Sequence, residues 1–332
     1  MKAEKDFTVY TKNGILKEPP QGGFVIALGT FDGVHSAHKR LFEEAMKLKS
    51  KINARGVGAW CFRDLPAAFL RAESIPKLMS LEEKVEAMLS FGLDFVAVGS
   101  FEDFRALDAE SFVTSLLIEK LGCVGAVCGF NHRFGYMGKG NAALLTSVLG
   151  EDNVVTVEEI SYGGETVSSS AIRRHISSGD MERATIMLGR PFSLKAPVIG
   201  GKRLGRKLNF PTANQNFKSG SVTPLHGIYA TRCKIDGIPY MGVSNVGIRP
   251  SIVDGSDDHT VNCETYIIDF SGDLYGKELT VEFCKLLRTE KKFDSIEALR
   301  RQISLDVEQA KEYFESGEMG EGRRQRAVGS RQ

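Results

Sequence analysis

Long hydrophobic runs are missing from this sequence of 332 residues. No apolar stretch approaches the roughly 20 residues that a membrane-spanning helix needs, and the segment from Met1 to Pro20 lacks the apolar core of a signal peptide. An excess of one charge is missing as well, because 43 Lys and Arg residues stand against 42 Asp and Glu residues. The composition therefore gives no reason to expect a nucleic acid or a membrane as partner. We expect a cytoplasmic protein.

Paired cysteines are also missing. The six cysteines are scattered, and no two of them form a CxxC pair. In a chain of this length that pattern indicates reduced thiols rather than a disulfide framework or a zinc site. A hydrophobic content of 42% and a charged content of 26% are typical of a globular protein, and the length favours two domains over one.

Short apolar runs alternate with helical patterns up to about residue 188. The runs are Phe24 to Leu28, Val57 to Phe62, Phe95 to Val98, Gly125 to Cys128 and Val154 to Val157. Strands that alternate with helices predict right-handed crossovers and a parallel sheet covered on both faces. Because ligands bind beyond the carboxyl ends of the strands in such sheets, the loop after the first run is the first candidate site.

That loop joins the first strand to a helix and carries two histidines. The first N–H groups of a helix attract anions, and Gly29 and Gly33 would let the backbone approach a phosphate. His35 and His38 are three residues apart, which puts both on one helix face. A lone histidine more often caps or packs, but a pair beside a glycine-rich loop favours phosphate contact. The candidates for this site are Gly29, Thr30, Phe31, Gly33, His35 and His38.

Two further loops of this half carry polar groups. The loop from Cys128 to Asn141 is rich in glycine and could wrap a ligand through its backbone, although its composition fits an ordinary surface loop equally well. Ser168, Ser169 and Ser170 are good N-cap residues, and their hydroxyls could serve a phosphate as well as the helix. Arg173 follows one turn later and offers a planar charged group for phosphate oxygens. The alternative is a capped surface helix.

The pattern changes to β-strands beyond Leu188. Two alternating runs between Gly227 and Gly247 meet at Asp236 and Gly237, which predicts a hairpin. Further strand-like runs, Thr260 to Ile268 and Leu279 to Leu286, favour a small closed antiparallel barrel.

A final helix is predicted from about Ser295, because apolar residues then recur on one stripe. Asp294 and Glu297 are spaced as a capping box, and we expect this helix to pack against the barrel. From Gly317 to Gln332 apolar residues are nearly absent, which predicts disorder.

The polar chemistry of this half is concentrated between Gly200 and Asn214. Gly201, Lys202 and Gly205 belong to a basic, glycine-rich run suited to a triphosphate. Thr212 and Asn214 lie two apart on an extended stretch, so both can face one metal-phosphate cluster. Glu264 is a lone acid in a strand-like run, and such an acid more often pairs with an exposed lysine. A hydroxyl that attacks a phosphoryl group, however, needs a proton acceptor. Glu264 is the candidate for that acceptor.

These motifs resemble the bacterial bifunctional riboflavin kinase and FMN adenylyltransferase family, the FAD synthetases. In the first half the matching segments are GTFDGVHSAH, GFNHRFG and SSSAIR; in the second they are FPTAN, SNVGIRPS, CETYIIDFSGDLYGKEL and LRTEKKF, and the likeness continues to Phe314. The resemblance implies an α/β plus β chain: a Rossmann-like nucleotidyltransferase domain over 1–187 and a small antiparallel β-barrel riboflavin kinase domain with a C-terminal helix over 188–316. A disordered tail over 317–332 completes this division.

The resemblance also implies a reaction sequence and roles for residues. Riboflavin would be phosphorylated to FMN, and FMN would then attack ATP to give FAD and pyrophosphate, with ATP as co-substrate, Mg²⁺ as cofactor and a monomer or weak homo-oligomer as the working form. Glu264 would be the general base, and His35 and His38 would contact the ATP phosphates. The resemblance also places Ser168, Ser169, Ser170 and Arg173 near the nucleotide phosphates. It places Phe62, Asn131 and Arg288 near the flavin.

Three positions depart from the family pattern. Ala37 replaces the glycine of HxGH, the segment FRDLP from Phe62 to Pro66 replaces FxPHP, and Asn209 replaces the glycine before FPTAN, a change we expect to be tolerated. The first two departures leave open a riboflavin kinase with a degenerate N-terminal domain. A flavin-binding or regulatory protein without activity is a second alternative.

Overall fold

The computed structural model describes residues 7–18, 20–71, 73–201, 205, 208–248 and 260–328. Over this range the chain forms two compact units that divide between Ala171 and Ile172. The boundary predicted after residue 187 lies later in the chain. None of the helices in the described part is long and apolar enough to cross a membrane.

The first unit is built on a seven-stranded sheet in the order β2-β1-β5-β4-β3-β6-β7. The strands are β1 Phe7–Thr11, β2 Gly14–Leu16, β3 Phe24–Leu28, β4 Gly56–Phe62, β5 Phe95–Gly99, β6 Cys123–Gly129 and β7 Val154–Val157. Strands β3 to β7 pair in parallel, which confirms the predicted sheet. The hairpin of β1 and β2, which the sequence analysis did not predict, adds antiparallel strands at one edge. A two-stranded ribbon follows, formed by β8 Ser161–Tyr162 and β9 Glu165–Thr166.

Helices cover both faces of this sheet, as predicted. They are α1 Ser36–Lys51, α2 Pro66–Arg71, α3 Leu81–Phe91, α4 Phe101–Phe104, α5 Ala109–Ser111 with a π-helical continuation Phe112–Lys120, and α6 Ala142–Leu149. Helix α7, Ser169–Ser178, follows, and the division between the two units falls within it. All five residues of β3 are buried. Ile26 and Leu28 belong to one apolar cluster, whereas Val25 and Ala27 belong to another. Successive residues of a strand point to opposite faces, so β3 lies between two cores.

The second unit is a six-stranded antiparallel sheet in the order β10-β15-β12-β13-β14-β11. Its strands are β10 Phe192–Pro197, β11 Thr212–Asn216, β12 Gly227–Ile235, β13 Ile238–Ile248, β14 Val261–Ile267 and β15 Glu278–Thr289. The two edges of this sheet meet, because the Ile199 N–H donates to the Asn214 carbonyl at 2.8 Å. Gln215 Nε2 also donates to the carbonyls of Ala196 and Leu279 at 2.7 and 2.8 Å. The predicted antiparallel barrel is confirmed.

The predicted hairpin joins β12 to β13. Asp236 and Gly237 have φ angles of +49° and +83°, and two successive positive values are typical of the type I′ turn that matches strand twist. This part of the prediction is confirmed.

Two helices pack on the barrel. Helix α8, Met181–Leu188, contacts β10 and β15. Helix α9, Ile296–Val328, contacts β12 and β13, where Ala310 and Phe314 join the barrel core. The packing prediction is therefore confirmed.

The ends of α9 differ from the sequence-based expectation. Ser295, rather than Asp294, caps the helix, since Ser295 Oγ accepts a hydrogen bond from the Ala298 N–H at 3.1 Å. The helix bounds extend to Val328, further than the apolar stripe of the sequence indicated, and the predicted disorder of 317–332 stays a prediction.

Candidate active sites

The loop between β3 and α1 has an unusual backbone. Phe31 and Val34 have φ angles of +53° and +40°, and Gly33 has +84°. The left-handed region is unfavourable for a β-branched residue such as Val34, whose N–H donates to the Phe31 carbonyl at 3.2 Å. The side chains of Phe31 and Val34 are both buried. Packing and this turn therefore hold the loop in its unusual conformation.

The two histidines stack on each other at the start of α1. Their ring centroids are 3.5 Å apart and the rings are inclined by 18°. His35 is the N-cap residue and is buried, while the ring of Phe31 meets the edge of His38 at 5.2 Å. The spacing of three residues thus brings both imidazoles together, as the sequence predicted.

His38 is neutral at pH 7. Burial, then the neighbouring His35 and then Lys84 hold the pKa of His38 well below its usual value. Among the described residues, no group accepts from or donates to its buried Nδ1 atom. A neutral imidazole can still donate one N–H to a phosphate oxygen, so its contribution would be a positioned hydrogen bond rather than a full charge.

The serine segment reaches the same loop. Ser169 Oγ donates to the Asp32 carbonyl at 2.9 Å, and the buried Asp32 carboxylate accepts from the Leu78 N–H at 3.0 Å. Ser168 Oγ accepts from the Ala171 N–H at 3.2 Å and so caps α7. Two of the three candidate hydroxyls thus have structural partners, whereas Ser170 is exposed.

Arg173 and Gly29 were both predicted to serve a phosphate. Arg173 lies half-buried within α7. At Gly29 the structure gives another reason for glycine, since a Cβ there would stand 2.8 Å from the Phe31 ring. Glycine is required at this position because a side chain would collide with the Phe31 ring. The expected approach of the backbone to a phosphate is not needed to explain it.

The candidate flavin residues follow neighbouring strands of the first sheet. Phe62 ends β4 half-buried and packs edge-on against Phe101 at 5.3 Å. Asn131 is exposed in the turn after β6, where the His132 N–H donates to the Gly129 carbonyl at 3.0 Å. Because β4 and β6 flank β3, both residues lie at the carboxyl edge that carries the histidine loop.

Lys84 was missed by the sequence analysis. It is only 5% exposed, and its ammonium donates to the carbonyls of Thr30 and Phe62 at 3.2 and 2.8 Å. The periodic pattern of α3 was taken from its apolar residues alone. A lysine immediately before Val85 and four residues before Met88, both buried, was the available signal.

The second unit contains a cavity of about 570 Å³, which is lined by residues of β11 and β14 and by the segment Phe270 to Tyr275. Its lining includes five of the predicted residues, namely Gly201, Gly205, Thr212, Asn214 and Glu264. Strand register explains the convergence, because Asn214 pairs directly with Glu264 across the two strands. The predicted Lys202 lies outside the described residues.

Thr212 and Asn214 both line this cavity and both carry a side-chain oxygen. Asn214 Nδ2 donates to Thr212 Oγ1 at 3.3 Å, whereas the buried Asn214 Oδ1 has no hydrogen-bond partner within the described part of the chain. Hydroxyl and amide oxygens suit a hard cation such as Mg²⁺. A Cβ on Gly201 would lie 2.6 Å from Asn214 Nδ2, so glycine is needed where this segment crosses the asparagine.

Arg288 is engaged elsewhere on the barrel. Its Nε and Nη2 atoms donate to the two carboxylate oxygens of Asp306, each at 2.8 Å. Asp306 lies on α9 and is 1% exposed, and Gln302 donates to the same carboxylate at 3.1 Å. The guanidinium thus joins β15 to α9, and contact with a flavin stays a prediction.

A parallel-sheet unit with paired histidines at its carboxyl edge and an antiparallel barrel with a polar cavity fit a two-domain, nucleotide-using transferase. Family models agree with this division. The FAD synthetase model matches residues 17–171, and the riboflavin kinase model matches residues 188–314. The first match ends where the first compact unit ends.

Curated relatives match nearly the whole chain. The bifunctional riboflavin kinase/FMN adenylyltransferase of Bacillus subtilis is 31% identical over 90% of this chain and 95% of its own length. The protein of that name from Pseudomonas fluorescens is 33% identical over 88% and 94%. A crystal structure described as a macrolide-efflux protein from Streptococcus pneumoniae shares the fold, with a TM-score of 0.79 and 26% identity over 89% of this chain and 96% of that one. The chain belongs to the bifunctional riboflavin kinase/FMN adenylyltransferase family.

Proposed function

We propose that this chain converts riboflavin to FAD in two ATP-dependent steps, one in each unit. The barrel transfers the γ-phosphoryl group of ATP to riboflavin, which gives FMN and ADP. The first unit then transfers the adenylyl group of a second ATP to FMN, which gives FAD and pyrophosphate. The presence of both matched domains favours this function over a riboflavin kinase with a degenerate first domain.

The observation that carries the proposal is the cavity of the second unit. Glu264 borders the same space as Thr212 and Asn214. In the kinase step the Glu264 carboxylate accepts the proton of the primary hydroxyl of riboflavin while that oxygen attacks the γ-phosphorus. Thr212 and the unpartnered Asn214 Oδ1 would hold Mg²⁺ with the nucleotide, and the ion supplies neutralisation of the phosphate charge.

In the first unit the proposal rests on the stacked histidines. A phosphate oxygen of FMN attacks the α-phosphorus of ATP, and pyrophosphate leaves. His35 and His38 flank the N-terminus of α1, where helix N–H groups and imidazole N–H groups can stabilise charge that develops on the phosphate oxygens. Neither step forms a covalent enzyme intermediate, so positioning and charge stabilisation supply most of the rate.

Two substitutions in the full chain test the division of labour. Glu264→Ala should lower FMN formation from riboflavin by about 10²–10⁴-fold, the usual contribution of a general base, and leave FAD formation from supplied FMN intact. His38→Ala should lower FAD formation by about 10²-fold, the cost of one lost donor to developing charge, and leave FMN formation intact. Products are separated by chromatography after incubation with ATP and Mg²⁺.

Glu278→Ala is the matched control, because Glu278 is a 60% exposed acid at the start of β15. Loss of both activities in either variant, or of neither, would contradict the assignment. If the wild-type chain yields FMN alone, the kinase-only alternative is supported instead; unchanged riboflavin would support a binding or regulatory protein. A monomer or weak homo-oligomer and a cytoplasmic location are retained as proposals, and light scattering checks the oligomeric state.

A further inference from the structure

Lys84 is a buried cation on the apolar face of α3. Its helix begins with a capping box formed by Ser80 and Glu83, and Val85, Met88 and Leu89 pack into the first unit beside it. A lysine is almost never fully buried unless its ammonium has partners, because loss of hydration disfavours the charged form. The location of the partners therefore indicates what the residue does.

The partners all lie where β3 and β4 end. Lys84 Nζ donates to the Thr30 carbonyl at 3.2 Å and to the Phe62 carbonyl at 2.8 Å, and its charge acts against the rise that burial causes in the pKa of the Cys61 thiol. An ammonium has three N–H groups, and the two carbonyls accept from two of them. Lys84 thereby ties the proposed phosphate loop to the end of the neighbouring strand.

The Gly29–Gly33 loop, which Lys84 contacts at Thr30, lies in a backbone stretch with unfavourable φ angles. Phe31, which directly follows Thr30, has a φ angle of +53°, and Val34 has +40°. Such backbone persists only when surrounding contacts hold it. Lys84 holds Thr30 from one side, and the Leu78 N–H, just before α3, holds the Asp32 carboxylate. Helix α3 and the segment just before it thus hold two points of the same loop, Thr30 and Asp32.

The groups around the ammonium do not neutralise its charge. Both carbonyls are neutral, and burial raises the pKa of the Cys61 thiol, which therefore stays protonated at pH 7. The charge of Lys84 also reaches His38, whose pKa it helps to lower. The positive charge of Lys84 therefore stays available to attract an anion such as a nucleotide phosphate. This attraction is strong because little water screens it in the interior.

We propose that Lys84 is a positioning residue of the adenylyl-transfer site: it fixes the Gly29–Gly33 loop through the Thr30 carbonyl and supplies positive charge beneath the nucleotide phosphates without touching them. This inference rests on the proposed function of the first unit. It assigns α3 a role in ATP use, which its amphipathic sequence alone does not indicate.

Three variants of the full chain test it. Lys84→Met removes the charge and the donors but retains the apolar stem, whereas Lys84→Arg retains charge and donors. Lys47→Met is the matched control, because Lys47 is 62% exposed on α1 and pairs only with Glu44 among the described residues. For each variant, kcat and KM for ATP are measured in FAD formation from FMN, and FMN formation from riboflavin is measured in the same preparation.

Folding of the first unit is followed independently. Trp60 is the single tryptophan of the chain and is buried in β4, so its emission maximum and its urea midpoint report on this unit. They separate a specific loss of activity from simple unfolding.

We expect Lys84→Met to raise KM for ATP and to lower kcat/KM for ATP by about tenfold or more, with native Trp60 emission and unchanged FMN formation. Lys84→Arg should recover most of that loss, and Lys47→Met should match the wild type. Wild-type kcat and KM in Lys84→Met would overturn the proposal, as would a loss that follows the unfolded fraction.

If Lys84→Met does not fold, Lys84→Arg decides the question. Native emission with an ATP KM close to wild type supports the proposal, and native emission with the full loss overturns it. A wild-type chain that forms no FAD from FMN would refute the proposed function itself, which is a different outcome from failure of the Lys84 variants alone.

Discussion

Asn209 explains how one departure from the family pattern is accommodated. Its φ angle is +65°, in the left-handed region where glycine is favoured and asparagine is the best tolerated alternative. The Leu208 and Phe210 N–H groups on either side both donate to the Gly205 carbonyl, at 3.1 and 2.8 Å. The tight turn just before the strand that carries Thr212 and Asn214 therefore requires a positive φ angle, and asparagine can adopt it.

His132 makes the stability of the first unit depend on pH. Burial lowers its pKa from 6.5 to about 4, so the unfolded chain binds the proton more readily than the folded chain between these values. The stabilisation is fully present above about pH 6.5 and is lost as the pH falls towards 4. At 1.36 kcal/mol per pKa unit, the loss from this residue is at most about 3 kcal/mol.

The measurement is the urea midpoint of Trp60 fluorescence at pH 7.5 and at pH 5. We expect a lower midpoint at pH 5 and a smaller difference in His132→Phe, which keeps an aromatic ring beside Phe134. His38 acts in the same direction, since its pKa is also lowered, so the dependence should shrink rather than vanish. An unchanged difference in His132→Phe would rule out this origin.

Sequence spacing paired some of the candidate site residues but did not give their physical roles. The paired histidines and the Thr212–Asn214 pair were predictable because spacing alone puts side chains on one face of a helix or strand. The roles of Lys84 and Asp32 were not predictable, because their partners are backbone groups of distant segments: Thr30 and Phe62 for Lys84, and Leu78 for Asp32. Long-range partners of this kind leave no local pattern.

A buried ion pair joins α9 to the barrel. Asp306 is buried in this helix and is bound by two nitrogens of Arg288 on β15. We expect Asp306→Ala to lower the free energy of unfolding of the second unit by about 3 kcal/mol, since removal of one partner leaves the other charge without compensation. The measurement is urea unfolding followed by far-UV circular dichroism.

Glu308→Ala is the control on the same helix, because Glu308 is exposed and such substitutions usually change stability by about 0.5 kcal/mol or less. The double substitution Arg288→Met with Asp306→Leu should restore much of the loss, since apolar groups can replace a buried pair. Equal effects of Asp306→Ala and Glu308→Ala would contradict a structural role for the pair. A raised KM for riboflavin in Arg288→Met would support the predicted flavin contact.

At the scale of elements, central strands were easier to predict than edge strands. The apolar runs of β3, β4 and β5 are buried throughout or nearly so, which gives a strong local pattern. The edge strand β2 is exposed along its whole length, so its residues carry no such pattern and it was not predicted. The cap of α9 was misplaced by one residue because Asp294 and Ser295 are both good N-cap residues.

The whole molecule should unfold in two separate steps. Two compact units with separate cores are expected to lose structure independently unless their interface is large. Because Trp60 lies in the first unit and is the only tryptophan, its fluorescence should follow the first unit alone, whereas far-UV circular dichroism follows both. Urea titrations by the two methods should give transitions that do not coincide, and coincident curves would contradict this expectation.

The two-unit organisation was predictable from the change in sequence pattern, whereas the compact units divide earlier in the chain than the predicted boundary. Helix α8 was assigned to the first domain because helices alternate with strands up to Leu188. In the structure it packs on β10 and β15 of the barrel unit. Which core an amphipathic helix joins depends on surfaces far away in sequence, and periodicity carries no information about them.

The burial of every cysteine has a practical consequence for labelling. All six are free and buried, and burial raises the pKa of five of these thiols to about 11 or 12 and that of Cys61 above its usual value. The thiolate is the form that reacts with maleimides, so the native thiols should react slowly near neutral pH. Cysteines introduced on the surface would then react much faster than the native ones. A fluorescence donor and acceptor could be attached to two such cysteines without first removing the native cysteines.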